Sequence, residues 1–526
     1  MDHIVGIDLG TTYSCVAYLD AGNPVVIPNL EGLPTTPSVV SFTSSGERLV
    51  GTLAQRQALT NPQNTIFAVK RLIGRKFGSP EITEARTKLS YGLTEAPNGD
   101  VLVAVDSKTL SPQEISAMIL SYLKSCAESY FGDKLSDVVI TVPAHFNDHQ
   151  RQATKDAALI SGFNVQRVIN EPTAAGLAYG LNNKKNGTAA VFDLGGGTFD
   201  ITILEIRDGV FHVLATNGDS YLGGEDFDNR IIEWLVEDFR RETDIELGQD
   251  KLALQRIKEA AEKAKRELSF TLESEINLPF ICSDQMSSKH MKKVLTRQRL
   301  EELTVDLVER TIPLIEEAFG EARLDPGKID DVILVGGQTR MPLVKKRITE
   351  FFEKKPAEHI NPDEIVAMGA AIQSGILQGQ ARSLILLLDV TPFSLGIETE
   401  NDGYETIIEK NATIPTRRTK SFTTVEHNQR RVRLHVLQGE NALASLNKSL
   451  AVFELVGIEP APAGVPQIDV TFEINADGLV KVSAKDIATG LQQKIDVRPS
   501  SGLAPDELEM LIQKGKAESL GKTPDG

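Results

Sequence analysis

Cysteine, basic residues and long apolar runs are all scarce in this sequence. The three cysteines, Cys15, Cys126 and Cys282, are too few and too widely spaced for a disulfide framework or a zinc site, so we expect a reducing, cytoplasmic compartment. The longest apolar run, LILLLDV at 384–390, is far too short to cross a bilayer, and no membrane partner is expected. The opening residues, MDHIVGID, lack the basic and apolar regions of a signal peptide.

Acidic residues outnumber basic ones by 73 to 56, which gives a net charge of −17 and an isoelectric point near 5.1. A nucleic-acid partner held through its phosphates is therefore not expected, because proteins that bind in this way carry basic patches. The acidity is most simply a solubility feature. The length of 526 residues exceeds what one hydrophobic core can organise and predicts about three or four folding units, or two large ones.

The first two-thirds of the chain alternates strand-like and helix-like patterns, which is typical of an α/β fold. Short apolar runs predict strands at 4–7, 138–142, 188–192, 200–206 and 331–335. Helical patterns lie between them, at 113–131, 148–162, 225–241, 251–270, 297–319 and 341–353.

The last third of the chain changes character. Between 389 and 498 the composition is strand-like, turn signals recur and no convincing helix occurs, which predicts a β-sandwich of about a hundred residues. Alternation is clear in RRVRLHV at 430–436, where three apolar side chains share one face of a strand. A helical pattern returns at 505–519.

The α/β part contains an internal repeat. IDLGTT at 7–12 is similar to FDLGGGT at 192–198, and each is followed by a proline-led stretch of small residues, NEPTAAGLAYG at 170–180 and NPDEIVAMGAA at 361–371. From aspartate to proline the two spacings are 164 and 169 residues. The repeat predicts two related lobes whose small-residue helices approach closely at a hinge. The alternative is two unrelated helices that share proline and alanine by chance.

Asp8 and Asp193 each end a predicted strand in a turn rich in glycine and threonine. Glycine lets successive backbone N–H groups approach an anion, and Thr11, Thr12 and Thr198 add hydroxyl donors. Two carboxylates beside a phosphate imply Mg²⁺, which prefers oxygen ligands and keeps several waters. One such turn is also ordinary hairpin chemistry, but two matched copies favour phosphate binding.

Three further segments allow more than one interpretation. The helix at 251–270 has a polar face that, on its residues alone, is typical of a solvated helix with ion pairs. DVILVGGQTRMP at 331–342 predicts either a tight strand-to-helix turn or a site where a flat ligand meets the glycines and stacks on Arg340. HFNDH at 145–149 spaces two histidines for a metal, but with no third ligand we interpret them as core or surface residues.

Taken together, these segments resemble the DnaK (heat shock protein 70) family of molecular chaperones over nearly the whole chain. The motifs that carry the resemblance are GIDLGTTYSCVA, NPQNTIFAVKRLIGRKF, VITVPAHFNDHQRQATKDA, INEPTAAGLAYG, FDLGGGTFD, LGGEDFDNR, VGGQTRMPLV, LLLDVTPFSLGIE, HVLQGE and SAKDIATG. The implied function is an ATP-dependent chaperone that binds exposed hydrophobic segments of unfolded proteins, with ATP hydrolysis controlling peptide affinity through interdomain docking.

The resemblance also implies a domain organisation. Residues 1–382 would form an α/β two-lobed, actin-like ATPase domain, which is a duplicated ribonuclease-H-like fold. Residues 383–389 would be an interdomain linker, 390–500 an all-β sandwich that binds peptide, and 505–520 a short C-terminal helix that begins a truncated lid.

By this resemblance many residues acquire a role in a nucleotide cleft. Asp8 and Asp193 would position Mg²⁺ mainly through water, and Lys70 would touch the γ-phosphate and the attacking water. Glu171 and Thr198 would place that water, with Asp200 nearby. The other contacts to ATP or ADP would come from Gly10, Thr11, Thr12, Tyr13, Gly195, Gly196, Gly197, Gly223, Gly224, Glu225, Glu262, Lys265, Arg266, Ser269, Gly336, Gly337, Arg340 and Asp363. This implication reverses the solvated view of the 251–270 helix, since Arg266 and Arg340 would sandwich the base. Potassium is a further candidate cofactor.

The resemblance assigns peptide-binding and coupling residues as well. The positions implied for the peptide groove are Leu395, Ile397, Thr399, Glu400, Phe422, Val425, Val432, Leu434 and Ile468. The positions implied for an allosteric relay and for a J-domain co-chaperone are Pro143, Arg151, Arg167, Asn170, Thr173 and Asp389. The other implied partners are extended client polypeptides and a nucleotide exchange factor.

The sequence departs from the family pattern in three places. The family has a helical lid of about a hundred residues, whereas only some twenty follow position 505 here, so we expect faster peptide release. Glu400 and Val425 replace the usual arch residues over the peptide, and Arg430, Arg431 and Arg433 add positive charge, so a different peptide preference is expected. Leu384 stands where the linker often begins with aspartate.

Three rival functions share parts of this pattern. A sugar or acetate kinase would share the paired phosphate motifs, and an actin-like filament protein would share the lobes, but neither would need the C-terminal β-domain. A silent family member would bind ATP without turnover, although Lys70, Glu171 and Thr198 are all present.

Overall fold

Two α/β lobes make up the first part of the molecule. The computed structural model describes residues 3–183, 186–248, 250–283, 288–358, 360–380, 385–490, 492–496 and 502–519. The strands of the first lobe are β1 (Ile4–Asp8), β2 (Tyr13–Asp20), β3 (Asn23–Ile27), β4 (Thr36–Pro37), β5 (Val40–Phe42), β6 (Arg48–Val50), β7 (Thr65–Ile66), β8 (Gly92–Glu95), β9 (Val101–Val105), β10 (Lys108–Leu110), β11 (Asp137–Val142) and β12 (Asn164–Asn170). Its helices are α1 (Thr52–Gln57), α2 (Pro80–Lys88), α3 (Pro112–Phe131), α4 (Asp148–Ile160) and α5 (Glu171–Asn183).

The second lobe follows directly along the chain. Its strands are β13 (Gly187–Leu194), β14 (Phe199–Arg207), β15 (Val210–Asp219), β16 (Glu273–Ser283), β17 (Ser288–Thr296) and β18 (Asp331–Val335). Its helices are α6 (Gly224–Thr243), α7 (Lys251–Glu267), α8 (Arg297–Glu309), α9 (Thr311–Ala322), α10 (Pro342–Phe352) and α11 (Ile365–Leu377).

The two lobes share a core topology, as the internal repeat predicts. β1 pairs in parallel with β11 and antiparallel with β2, while β13 pairs in parallel with β18 and antiparallel with β14. The first sheet runs β12-β11-β1-β2-β3 and the second contains the corresponding run β18-β13-β14-β15. Asp8 ends β1 and Asp193 is the penultimate residue of β13, so equivalent strands deliver both carboxylates.

One predicted helix is divided in two. The pattern at 297–319 predicts a single helix, but α8 ends at Glu309 and α9 begins at Thr311. Pro313 lies in the first turn of α9, where it has no N–H to donate. In a continuous helix its ring would collide with the carbonyl of Glu309, so the chain breaks and restarts there.

Helices α5 and α11 touch through residues without bulk, as the hinge prediction requires. A Cβ at Gly369 would lie 1.9 Å from the carbonyl oxygen of Ala174, and one at Gly6 would lie 2.2 Å from the backbone nitrogen of Ala371. No side chain fits at such distances, so the glycines allow α11 to pack directly on α5 and on β1.

The hinge packing makes a prediction about stability. Gly369→Ala should destabilise the protein by at least about 1–3 kcal/mol, because the backbones of α5 and α11 must separate to admit the methyl group. Gly320→Ala is the matched control, since Gly320 is also helical and nothing lies within 4 Å of the Cβ it would gain. That control should be neutral or slightly stabilising. Thermal denaturation of both variants tests this, and equal midpoints would contradict the hinge packing.

The last third of the chain is a β-sandwich. The strands of this part of the chain are β19 (Leu386–Val390), β20 (Leu395–Thr399), β21 (Gly403–Ile408), β22 (Thr413–Ile414), β23 (Thr416–Thr423), β24 (Arg431–Gln438), β25 (Lys448–Val456), β26 (Gln467–Ile474), β27 (Val480–Asp486) and β28 (Gln492–Asp496). All of them except β19 and β22 form the sandwich. The two sheets are β21-β20-β24-β25 and β23-β26-β27-β28. Alternate residues of β20, β24, β26 and β27 enter the shared core, as Ile468, Val470 and Phe472 do in β26. Within 385–490 and 492–496 no α-helix interrupts these strands, as predicted.

Strand β19 joins the sandwich to the second lobe. Leu386, Leu387 and Leu388 pair in parallel with Val210, Phe211 and His212 of β15, and β22 pairs with the other edge of β19. The segment predicted as an interdomain linker is therefore a strand of the second lobe's sheet from residue 386 onward. Residues 383 and 384 of the predicted linker lie outside the described residues. The same is true of residues 497–500 of the predicted sandwich and of residue 520 of the predicted lid helix.

A final helix, α12 (Pro505–Ser519), packs on α4 of the first lobe. Leu511 is buried in the hydrophobic core of that lobe, and a Cβ at Gly515 would lie 2.0 Å from the carbonyl oxygen of Ile160. None of the helices in the described ranges has the length and apolar character needed to span a membrane.

Candidate active site and its connection to the β-sandwich

A cleft of about 420 Å³ lies between the two lobes. Its lining includes almost every residue that the sequence assigned to phosphate, metal or nucleoside. These residues are Asp8, Gly10, Thr11, Thr12, Tyr13, Lys70, Glu171, Asp193, Gly195, Gly196, Thr198, Gly224, Glu225, Glu262, Lys265, Arg266, Ser269, Gly336, Gly337, Arg340 and Asp363. The cleft thus gathers both copies of the repeated motif and the polar face of α7.

Three predicted residues do not line the cleft. Gly197 and Gly223 are packing glycines, because a Cβ at Gly223 would lie 2.5 Å from the nitrogen of Gly197, and one at Gly197 would lie 2.6 Å from the Thr11 hydroxyl. They let the two turns touch each other. Asp200 is buried behind the cleft and accepts a hydrogen bond from the backbone N–H of His145 at 2.8 Å.

Eight further residues line the cleft and were not predicted from the sequence: Thr35, Asp228, Phe270, Val335, Gln338, Met341, Pro362 and Val366. Val335, Gln338 and Met341 belong to the motif DVILVGGQTRMP at 331–342, so the motif as a whole indicates them. Asp228 pairs with Lys265 at 2.9 Å, a contact that no spacing in the sequence indicates. Nothing in the sequence marks Phe270.

The base of the cleft concentrates carboxylates around one lysine. Lys70 Nζ lies 2.5 Å from Glu171 Oε1, and Thr141 donates to Asp8 at 3.4 Å. Burial and then the charge of Glu171 raise the pKa of Asp8 to about 7, and the same two causes raise the pKa of Asp193 well above its usual value. Burial works to lower the pKa of Lys70, but the charges of Glu171, Asp8 and Asp193 raise it overall. The site therefore holds more negative charge than its lysine balances.

The upper part of the cleft combines one contact between the lobes, from Arg266 to Tyr13, with contacts inside the second lobe. Arg266 of α7 donates to the hydroxyl of Tyr13 in the first lobe at 2.9 Å, and Lys265 donates to the carbonyl of Gly224 at 2.8 Å. Lys265 is only 11% exposed, so the residue-based view of a solvated face on α7 is wrong for this side chain. Arg340 is held by Asp363 at 2.6 Å.

Arg71 forms further contacts between the lobes, beside the cleft, that were not predicted from the sequence. Arg71 forms an ion pair with Asp226 and donates to the carbonyl of Gly197 at 3.2 Å. Its guanidinium also lies 4.5 Å from the centre of the Tyr221 ring. Because Arg71 comes directly after Lys70, one short segment of the first lobe carries both the lysine of the cleft and an arginine that forms an ion pair with the second lobe.

A chain of hydrogen bonds leads from the cleft to β19. The backbone of His145 contacts Asp200, and Arg151 donates to the carbonyl of Ala144 at 2.9 Å and to Asn170 at 2.7 Å. Asn170 in turn donates to Asp389 at 2.8 Å. Each step joins groups that are buried or partly buried, so the carboxylate behind the cleft and the carboxylate of β19 belong to one network.

The other residues predicted for the relay and for a J-domain partner lie around this chain. Thr173 donates to Asp389 at 3.1 Å, and the carbonyl of Pro143 accepts from the backbone of Phe146 at 3.1 Å. Arg167 faces Asp477 of the sandwich at 4.0 Å. Asn170 and Thr173 are each 2% exposed beneath β19, and Asp389 of that strand is 6% exposed against them.

The sandwich also rests on the first lobe through buried polar contacts. Asp477 accepts from Lys155 at 2.9 Å and from the backbone of Val168 at 3.0 Å, and Asp148 of α4 accepts from the backbone of Val480 at 2.9 Å. These contacts bind the sandwich, α4 and β12 into a single docked arrangement.

The positions predicted for the peptide groove separate into buried and exposed sets. Leu395, Ile397, Leu434 and Ile468 are each at most 3% exposed in the sandwich core, and Phe422 and Val432 are partly buried against it. Thr399 and Glu400 are exposed, and Val425 is 58% exposed. In this arrangement the apolar set packs the sandwich rather than facing solvent.

His145 and His149 both lie where the first lobe contacts the C-terminal third of the chain. The His145 ring lies 4.4 Å from the ring of Phe393, and His149 is 2% exposed and bonded to the backbone of Leu450. Across the described ranges, no group of three or more His, Cys, Asp or Glu side chains is placed to hold a metal ion.

The fold and the cleft define a class of protein: a two-lobed α/β protein whose phosphate-type cleft is joined through one strand to a β-sandwich. The chain matches the family model described as Hsp70 protein over residues 4–522, and it therefore belongs to the Hsp70 family. Membership confirms the sequence resemblance at the level of the family and implies an ATP-dependent chaperone with ATPase activity. The family generally uses ATP, ADP and Mg²⁺, and works with unfolded clients, J-domain proteins and exchange factors.

The burial of His149 should make docking of the sandwich on the first lobe sensitive to acid. Burial, with Lys448 and Lys76 nearby, lowers the pKa of His149 to about 3, although its bond to the backbone of Leu450 acts in the other direction. A docked state with the lower pKa binds fewer protons, so docking should weaken as the pH falls below about 6.5, down to about 3. Relative to His149→Gln, wild-type docking should lose about one further factor of ten per pH unit between about pH 6 and pH 4.

Energy transfer between dyes on the first lobe and on the sandwich measures this docking. Lys448, Lys76 and every other titrating group are common to both proteins, so they cancel in the comparison. Parallel pH profiles for wild type and His149→Gln would contradict the predicted sensitivity.

Proposed function

We propose that this chain is a DnaK-type chaperone in which ATP hydrolysis in the inter-lobe cleft controls how the β-sandwich binds extended hydrophobic peptides. The observation that carries the proposal is the hydrogen-bonded path from Asp200, through Arg151 and Asn170, to Asp389. A path of this kind gives nucleotide and linker a shared set of contacts, which is what coupling between two sites requires.

The cleft suits a magnesium nucleotide. Burial, and then the charge of Glu171, raises the pKa of Asp8 and of Asp193, and both side chains offer the oxygen ligands that Mg²⁺ prefers. We propose that these two residues hold the ion mainly through its waters. When bound, Mg²⁺ supplies charge neutralisation for the phosphates. Potassium remains a further candidate for the same anionic site.

The protein's own groups supply positioning. The turn glycines Gly195 and Gly196, with Thr11 and Thr12, present donors to the phosphates. Lys70, fixed by Glu171, places a positive charge where the γ-phosphate would lie, and Glu171 with Thr198 would orient the attacking water. Hydrolysis is then an in-line attack on phosphorus in which orientation and charge neutralisation lower the barrier.

The same logic predicts the partners. Peptide clients would bind the sandwich after rearrangement of the buried apolar set. A J-domain co-chaperone would act at Arg167, Asn170, Thr173 and Asp389, of which Asn170 and Thr173 lie buried against Asp389 in the docked arrangement. A nucleotide exchange factor would act on the lobes. We also propose a cytoplasmic location, because the three cysteines, which all lie in the described ranges, form no disulfide with one another.

Removal of the cleft lysine tests the catalytic role. Lys70→Ala should lower kcat for ATP by at least about a hundredfold, because it removes the positive charge at the reacting phosphoryl group. Lys76→Ala is the matched control, since Lys76 forms an ion pair with Asp100 on the surface of the same lobe. Single-turnover hydrolysis measures the rate and calorimetry the ATP affinity. An unchanged kcat in Lys70→Ala would exclude the proposed role.

Removal of the β19 carboxylate tests the coupling. Asp389→Ala leaves Asn170 and Thr173 with buried donors and no acceptor, so the docked state should weaken by at least about 1–3 kcal/mol. The ratio of ATP turnover with and without an extended hydrophobic peptide should then fall towards one. Asp402→Ala is the control, because that carboxylate accepts hydrogen bonds from the backbone and hydroxyl of Ser445, away from β19 and within the sandwich region. A stimulation ratio equal to wild type in Asp389→Ala would refute the proposed path.

A further inference from the structure

Phe270 is exposed at the mouth of the cleft. Its side chain is 81% exposed, more than any other large apolar residue in the described part of the chain, yet it is one of the residues that line the cleft. A single exposed phenylalanine is ordinary on a protein surface. One that forms part of a ligand cavity presents apolar area that a bound ligand would remove from water.

The backbone that presents Phe270 is fixed from several sides. Its N–H donates to the carbonyl of Glu267 at 2.9 Å, at the end of α7. Arg297 donates to the carbonyl of Leu268 at 2.8 Å and to that of Thr271 at 2.7 Å, on either side of Phe270. Leu268 is fully buried in the core of the second lobe. The turn is therefore held in place before any ligand arrives, which reduces the entropy lost on binding.

The other groups at this end of the cleft already have partners. Arg266 donates to Tyr13, and Arg340 is held by Asp363 and Asn361. Of the described lining residues only Tyr13 and Phe270 are aromatic, and the Arg266 guanidinium lies 5.8 Å from the centre of the Tyr13 ring. Phe270 is thus the lining residue that offers a wide apolar ring without a polar group attached to it.

We propose that Phe270 is a base-binding residue of this cleft, whose ring packs against the purine of the bound nucleotide and slows its release. The inference rests on the proposed function, since it needs a nucleotide in the cleft. A base in contact with an aromatic ring gains stacking that its phosphates do not share. The contribution of Phe270 should therefore appear with nucleotides and vanish with phosphate chains that carry no base.

The test compares two ligands in three variants. Phe270→Ser should raise the Kd for ADP by about tenfold, mostly through a faster dissociation rate, and leave the Kd for inorganic pyrophosphate unchanged. Phe270→Trp should keep wild-type affinity for ADP or improve it. Phe280→Ser is the matched control, because Phe280 is 66% exposed on the neighbouring strand β16 and does not line the cleft. Calorimetry gives the affinities, and stopped-flow displacement of a fluorescent ADP gives the rates.

The outcomes separate the two hypotheses. If wild type binds ADP and Phe270→Ser binds it equally well, the role of Phe270 is overturned and the proposed function stands. An equal loss for ADP and for pyrophosphate also overturns it, because the effect would then be on the cleft and not on the base. If wild type binds neither ADP nor ATP, the proposed function itself fails.

Discussion

The burial of several carboxylates around a single lysine is the constraint on which the rest of the molecule depends. Asp8, Asp193 and Glu171 meet at the base of the cleft, where low polarity strengthens their mutual repulsion and only Lys70 opposes it. Such a cluster is tolerable only if a cation or a proton relieves it, and it is therefore built to respond to what enters the cleft. Asp200 extends the charge towards the back of the cleft, and burial followed by the charge of Glu171 raises its pKa to about 7. The base of the cleft therefore contains more carboxyl groups than Lys70 alone can neutralise.

The duplicated fold supplies this cluster economically. Each lobe contributes one strand that ends in an aspartate, and the glycines of α11 and β1 let the lobes meet without side chains between their backbones. A change of charge in the cleft can therefore alter how the lobes sit against each other. The segment that carries Lys70 also carries Arg71, which grips the second lobe through Asp226. Adjacent residues of one segment therefore line the cleft and hold the two lobes together.

Much of this could be predicted from the sequence because it depends on local patterns. The repeated Asp-Gly turns, the strand alternation and the proline-led helices each have a short-range physical cause, and they predicted the two lobes and the phosphate turns at Asp8 and Asp193. Most of the other lining residues were assigned only through the family resemblance, since on its residues alone the polar face of α7 was interpreted as solvated. The break at Arg310 was missed because Pro313 lies inside a continuous apolar pattern. Ion pairs such as Lys265 with Asp228, and the exposed ring of Phe270, were missed because they depend on three-dimensional placement. The docked position of the sandwich also has no local signal, since Asp477 and Lys155 are brought together only by the fold.

Strand β19 has a consequence for solubility. It pairs with Val210, Phe211 and His212 of β15, so it occupies an edge that would otherwise present unpaired backbone groups. If the sandwich undocks as proposed, that edge would become open, and Leu387, which is partly buried here, would become exposed beside Leu386, which is already 49% exposed. A protein that is proposed to bind exposed apolar segments of other chains would, in its undocked state, expose an aggregation-prone apolar segment of its own.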